Sequence, residues 1–340
     1  MRFLILAFLT FAVAAISSGA RALVSSPAQN GSKLYVTNSS GDDVTIIDPA
    51  TLKVIRSLKV GHGPHGLVAS ADGTRLYLTV EDTQKLLIID TATDQTIGEV
   101  PIGKTPNKPT LSKDERYCYV PLRGEDAFEI VDLKALKVIK RLPAPAWPHN
   151  MYTSPDGKRI YLGSINGGKI TVIDPATQSV ASEIDMGAGV RPMAISKRGS
   201  PIYVALSKLH GFAVFDPDQK KILRRVELPA LPPGTPPPYL NTYTHGLLLV
   251  DNDRELWVTS CPGNALYVFS LPDLKQTAKI ETGELPNWLT ATADDRIVFV
   301  SNAAADTVTA IDARTKKVLA TIPVGRAPKR LLVVTPKPAA

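Results

Sequence analysis

The chain contains five histidines, and three of them fall at one register of a repeating pattern. Ser70, Ser112, Ser154 and Ser196 are each 42 residues apart, and five residues before each stand His65, Asn107, His149 and Arg191. Carried to the end of the chain, the same count adds His245, Asn287 and Lys329. All seven are polar, and five follow a proline (Pro64, Pro106, Pro148, Pro286 and Pro328), which fixes the angle at which the chain enters the next segment. Three imidazoles on alternate repeats can converge on one Zn or Cu ion that keeps an open position. Arg191 and Lys329 oppose that, because fixed cations repel a divalent metal unless an anion lies between them. A small anion or carboxylate would use the same set: two fixed cations, two amides and imidazoles of adjustable charge. A hydrated polar plug with no specific ligand is the third arrangement these side chains allow.

The elements that must position them repeat with the same period. Leu34-Tyr35-Val36-Thr37-Asn38 recurs as Leu76 to Val80, Cys118 to Leu122, Ile160 to Ser164, Ile202 to Leu206, Leu256 to Ser260 and Val298 to Asn302, in steps of 42, 42, 42, 42, 54 and 42. Seven copies of a unit this long define an array. Within each unit, short runs of Val, Ile, Leu and Tyr are punctuated by Gly, Asp and Pro, the pattern of four strands and their turns. The first copy lacks an initial strand, and the last, Arg326 to Val334, is an initial strand with nothing after it. The two ends can therefore complete one unit between them and leave no open sheet edge. The expected fold is all-β: a seven-bladed β-propeller over residues 33–335, its first blade closed by the C-terminal strand. A tail, 336–340, follows.

The recurring Leu-Tyr-Val-Thr-Asn phrase, the Ile-Asp-Pro-Ala-Thr turn and the Val-Gly-x-x-Pro-x-Gly segment resemble the YVTN-repeat β-propeller family, over nearly all of residues 33–335. The resemblance implies a propeller of the kind found in surface-layer and periplasmic proteins, related to lactonases and to a streptogramin-cleaving lyase. It selects no single chemistry among these.

In such a ring the innermost strand of every blade runs along the central channel, so the seven polar residues should line its mouth. The loops between second and third strands reach the same face and bring Glu81, Asp82, Arg123, Glu125, Asn166, Lys208, His210, Cys261 and Asn302. An enzyme built there would use His65, His149 and His245 as metal ligands, with Glu81 or His210 as acid/base groups; Cys261 is a further nucleophile to consider. The extra 12 residues of the sixth step lie in Leu228 to Thr244, a proline-stiffened loop carrying Tyr239, Asn241 and Tyr243 just before His245. Its position suits a partial lid over the mouth as well as it suits a tolerated insertion. Trp147 and Trp288 would supply an apolar wall, and Trp257 belongs to the core. The repeated Asp48, Asp90, Asp132, Asp174, Asp216 and Asp312 read as turn-stabilising groups and not as catalytic carboxylates.

Residues 1–22 read as a signal peptide: Arg2, an apolar run Phe3 to Ile16, then Ala20-Arg21-Ala22 as the cleavage site. The run is short of the roughly 20 residues needed to span a bilayer, so export to the periplasm or medium is expected, with an uncleaved anchor as the alternative. Residues 23–32 form a linker. The formal charge of +7 falls to +5 without Arg2 and Arg21. Without a Lys/Arg cluster interleaved with aromatics, nucleic acid is an unfavoured partner. Cys118 and Cys261 fall in different repeats and are expected to be unpaired. No His-Glu-x-x-His, Gly-x-Ser-x-Gly, phosphate-binding glycine loop or Cys-x-x-Cys-His is present. The expected protein is a monomer that holds a small anionic ligand or a partner protein, with a metal-dependent hydrolase, lyase or oxidase as the alternative.

Overall fold

The computed structural model describes residues 31–337. The expected signal peptide, most of the linker and the last three residues of the tail lie outside them. Seven four-stranded antiparallel sheets follow one another around a ring. Blade 2 shows the plan, running outward from the channel through Pro64–Ala69, Arg75–Val80, Lys85–Asp90 and Gln95–Pro101. Its second and third strands are buried on both faces, while the outermost is largely exposed. That gradient explains why the middle strands read as near-continuous apolar runs.

The core is a set of wedges between blades. Each of seven apolar clusters joins two neighbouring blades; one packs Tyr35 and Ile46 of the first against Leu76 and Leu78 of the second. Turns are held by the repeated hydroxyls and carboxylates. The Ser70 Oγ donates to Asp72 Oδ1 and accepts from the Arg75 N–H at 3.0 Å, and Ser112 and Ser154 repeat the arrangement. The Asp48, Asp132, Asp174 and Asp216 carboxylates each accept backbone N–H bonds two residues on, as expected of scaffold.

Closure follows the strand count. Pro328–Val334 pairs antiparallel with Lys33–Asn38, with Leu34 opposite Val333 and Val36 opposite Leu331, and so becomes the innermost strand of blade 1. Among the described residues no helix is long and apolar enough to cross a membrane.

Candidate functional site

The innermost strands of blades 1, 2, 4, 5 and 7 enter the channel through a bulge. Pairing with the second strand slips just after the proline in blades 2, 4 and 7, between Pro64 and Leu67, Pro148 and Asn150, and Pro286 and Leu289. A bulge adds an unpaired residue and re-aims the side chains on either side of it. The Thr of the repeated phrase stabilises it. Thr79 Oγ1 accepts the Gly66 N–H at 2.8 Å and donates to the carbonyl of Asn107, in the next blade, at 3.0 Å. Thr37 does the same between Arg330 and His65, and Ser301 between Trp288 and Lys329. One hydroxyl thus fixes a bulge and ties it to the neighbouring ring residue.

The ring residues are brought together. His65, Asn107, His149, Arg191 and His245 are buried, and Asn287 and Lys329 are half-buried. His149 and His245 meet edge to face with ring centroids 5.8 Å apart, and His245 Nδ1 bonds the Asn287 carbonyl at 3.0 Å. His65 Nδ1 lies 2.8 Å from Glu81 Oε1, which also accepts from Arg123 at 3.3 Å. That pair consists of a neutral imidazole donating to a carboxylate: burial pushes His65 down to about 4, and Glu81, although burial raises it, is held down to about 2 by its pairing and hydrogen bond with His65 first and by Arg123 and Lys329 after that. Burial holds His149 and His245 well below the ordinary imidazole range, and the Arg330 charge adds to it in both. Among the described residues, no three His, Cys, Asp or Glu side chains are grouped to hold a metal ion.

Arg330, which the register count passes over, occupies the middle of this set. It is 2 % exposed, its guanidinium lies 4.2 Å above the Trp288 ring, and Nη2 donates to Asn150 Oδ1 at 2.9 Å and to Asn107 Oδ1 at 3.3 Å. A neutral imidazole has one acceptor nitrogen. His149 Nδ1 meets Asn150 Nδ2 at 2.7 Å, so Nε2 keeps its hydrogen and faces Arg330 Nη2 at 3.5 Å, donor against donor. Among the described residues, the Arg330 Nε–H and the Asn107 Nδ2 amide are buried without any partner. Arg191 is held by Ser207 Oγ and the Leu240 carbonyl. Among the described residues, every hydrogen-bond partner of both arginines is uncharged, and burial pushes each down to about 10. Among the described residues the ring acceptor Asn287 Oδ1 is likewise buried without a partner, so the site holds two buried arginines and unpartnered donors together with one unpartnered ring acceptor.

Lys108 follows Asn107 and lies in the same layer as Arg330. Its Nζ donates to the Met151 carbonyl at 2.9 Å, lies 4.3 Å from the centre of the Tyr152 ring, and is pushed by burial down to about 7. Lys108, Asn150 and Arg330 escaped a count that allowed one residue per blade. The available signal was the polar pairs Asn107-Lys108, His149-Asn150 and Lys329-Arg330, which break strand alternation where bulges fall.

Other expectations part company here. His210 lies off the ring, half-buried, with Nε2 2.7 Å from Ser260 Oγ and its ring near Tyr243. Cys261 gains no support as a nucleophile: the thiol is buried, donates to the Pro286 carbonyl at 3.2 Å and is pushed by burial up to about 12, away from the thiolate form. Both cysteines are free and Trp257 is core, as expected. In the proline-rich loop, Tyr239–Asn241 makes one 3-10 turn, pinned by Arg191 through the Leu240 carbonyl and by the Lys208 N–H to the Asn241 carbonyl. Tyr239, 82 % exposed, lines a cavity of about 260 Å³ with Thr105, Arg123, Gly124 and Trp147. The loop from between blades 5 and 6 therefore reaches residues of blade 3 and of the turn that leads into blade 4.

Fold and site together define a seven-bladed β-propeller with a basic, donor-rich channel mouth. Residues 108–199 match the family model described as YNCE-like beta-propeller. No curated protein matches the chain. Similar solved structures include Pseudomonas aeruginosa periplasmic gluconolactonase PpgL (20% identity, TM-score 0.72, covering 90% of this chain and 99% of that one). Kuenenia stuttgartiensis hydrazine synthase matches at 19% identity and TM-score 0.72, over 84% of this chain and 93% of that one. A protein of Desulfotomaculum acetoxidans matches at 12% identity and TM-score 0.76, over 90% and 99%. At these identities the likeness is one of fold, and propellers host many unrelated activities.

Proposed function

We propose that the protein is an exported binding propeller that holds a small anion, a carboxylate or a group of similar shape, at the channel mouth formed by His65, Asn107, His149, Arg191, His245, Asn287, Lys329 and Arg330. One observation carries this: among the described residues, the buried guanidinium of Arg330 faces only neutral partners, and its Nε–H and the Asn107 amide N–H have no acceptor. Burying a charge without an opposite charge is costly, and buried donors without acceptors add to that cost. An oxyanion supplies both the charge and the acceptors.

The alternative, a Zn or Cu enzyme on His65, His149 and His245, draws less support. His65 is engaged by Glu81, and Arg330, Arg191 and Lys329 all raise the cost of placing a divalent cation among the imidazoles. The periplasm or medium is the compartment that fits the N-terminal sequence. The deciding experiment is calorimetric titration of tag-free protein with acetate, benzoate and phosphate, beside its metal content. Binding of at least one anion is expected, weakened about 10- to 100-fold in Arg330→Met, the loss of one or two charge-assisted hydrogen bonds. Stoichiometric Zn or Cu that disappears in His149→Ala would overturn this reading in favour of the enzyme.

A further inference from the structure

The rim above the ring indicates what the anionic group is attached to. The residue two before each ring position adopts a left-handed backbone in five blades: Gly63, Thr105, Trp147, Leu285 and Ala327 have φ between 50° and 76°. This conformation suits glycine and is unfavourable for a bulky side chain. Four of the five are glycine, threonine, alanine or leucine; tryptophan stands at one alone. The Trp147 N–H donates to Asp126 Oδ1 at 2.9 Å, and its carbonyl accepts the Ile165 N–H at 2.9 Å, so surrounding bonds hold the strained turn in place.

Facing it across a cavity of about 260 Å³ is Tyr239, exposed by 82 % on a loop that comes from between blades 5 and 6. Leu240 and Asn241, the next two residues, are also left-handed, and Arg191 grips the Leu240 carbonyl. Arg123 lies in the same cavity, 6.0 Å from the Trp147 ring and 3.3 Å from Glu81 beneath. Trp147, held at a backbone cost, and Tyr239 thus line one space with Arg123, which Glu81 links to the ring residue His65. A void of ~150 Å³ already accepts benzene in another protein, so this one has room for a single ring.

We propose that the ligand is a planar aromatic carboxylate, its ring between Trp147 and Tyr239 with Arg123 alongside, and its carboxylate on the donors around Arg330. This rests on the anion reading above and goes beyond it by assigning the rest of the molecule. Aromatic contacts favour a flat π system over a puckered ring of equal size.

The test is calorimetric titration with benzoate, cyclohexanecarboxylate and acetate, on wild type, Trp147→Gly and Tyr239→Ala. Glycine suits the left-handed turn, so the first variant should fold. Benzoate is expected to bind at least about tenfold more tightly than either of the others, and each variant should erase most of that preference, read as the ratio of benzoate to acetate affinity within the same protein. Equal binding of benzoate and cyclohexanecarboxylate, or a preference intact in both variants, would overturn the aromatic assignment and leave the anion site standing. Failure of all three carboxylates, and of phosphate, to bind would remove both.

Discussion

Three imidazoles buried beside a guanidinium make stability depend on pH in one direction. His65 is pushed to about 4, and His149 and His245 lie well below their ordinary range, in each case mainly through burial. Unfolding restores them to about 6.5. Below that pH the unfolded chain takes up protons that the native site refuses, so the native state's advantage is complete above about 6.5 and is lost as pH falls toward the depressed values. Each such proton costs about 1.4 kcal/mol per pH unit. The melting temperature should therefore drop steeply between pH 7 and 5, and His245→Gln, which removes one titrating group, should flatten the slope. A flat profile in the wild type would mean that the histidines are solvated. Arg330→Met in the absence of ligand should leave the melting temperature unchanged or raise it, because an unpaired buried charge is replaced by an apolar group of similar length.

At the scale of elements, the bulged inner strands position the site, and two contacts control them. Thr79→Val removes the hydroxyl that receives the Gly66 N–H and supports the Asn107 carbonyl. Its expected cost is about 1–3 kcal/mol in chemical denaturation, the range for leaving buried backbone groups unsatisfied. Gly66→Ala should cost more, since a Cβ there would collide with the Asn107 carbonyl oxygen and lie 2.7 Å from the Lys108 Cα. Both neighbours are backbone of the next blade and cannot swing aside, so blade 3 must move. Denaturation midpoints equal to wild type in both variants would show that the bulges hold themselves. The proline-rich loop belongs to this scale as well: its prolines stiffen it, but Arg191 and Lys208 anchor it.

For the whole molecule, closure is the decisive contact. Deleting everything after Val324 strips Lys33–Asn38 of its partner strand and removes Arg330. The resulting edge and the exposed Leu34 and Val36 should give aggregation and a non-cooperative melt, read by size-exclusion chromatography and circular dichroism. A circular permutant that begins at Gly325 and joins the old ends by a linker keeps every strand pair and should stay folded. If the truncated chain remained monomeric and cooperative, the ring would not depend on its clasp.

Periodicity alone determined the seven blades, the closure and the seven-residue ring, because a 42-residue step places equivalent side chains at equivalent points of any closed array. It could also tell scaffold carboxylates from functional ones, since a turn that recurs in every blade repeats its Asp with it. Which side chain fills the middle was decided only in three dimensions. Arg330 lies one place past the counted register and enters the channel because a bulge breaks the two-residue alternation that the count assumes. Its contacts with Asn107 and Asn150 span separations of 223 and 180 residues in the chain. Nothing in a local pattern encodes contacts of that kind. They exist because the ring closes and turns seven strand ends toward one axis.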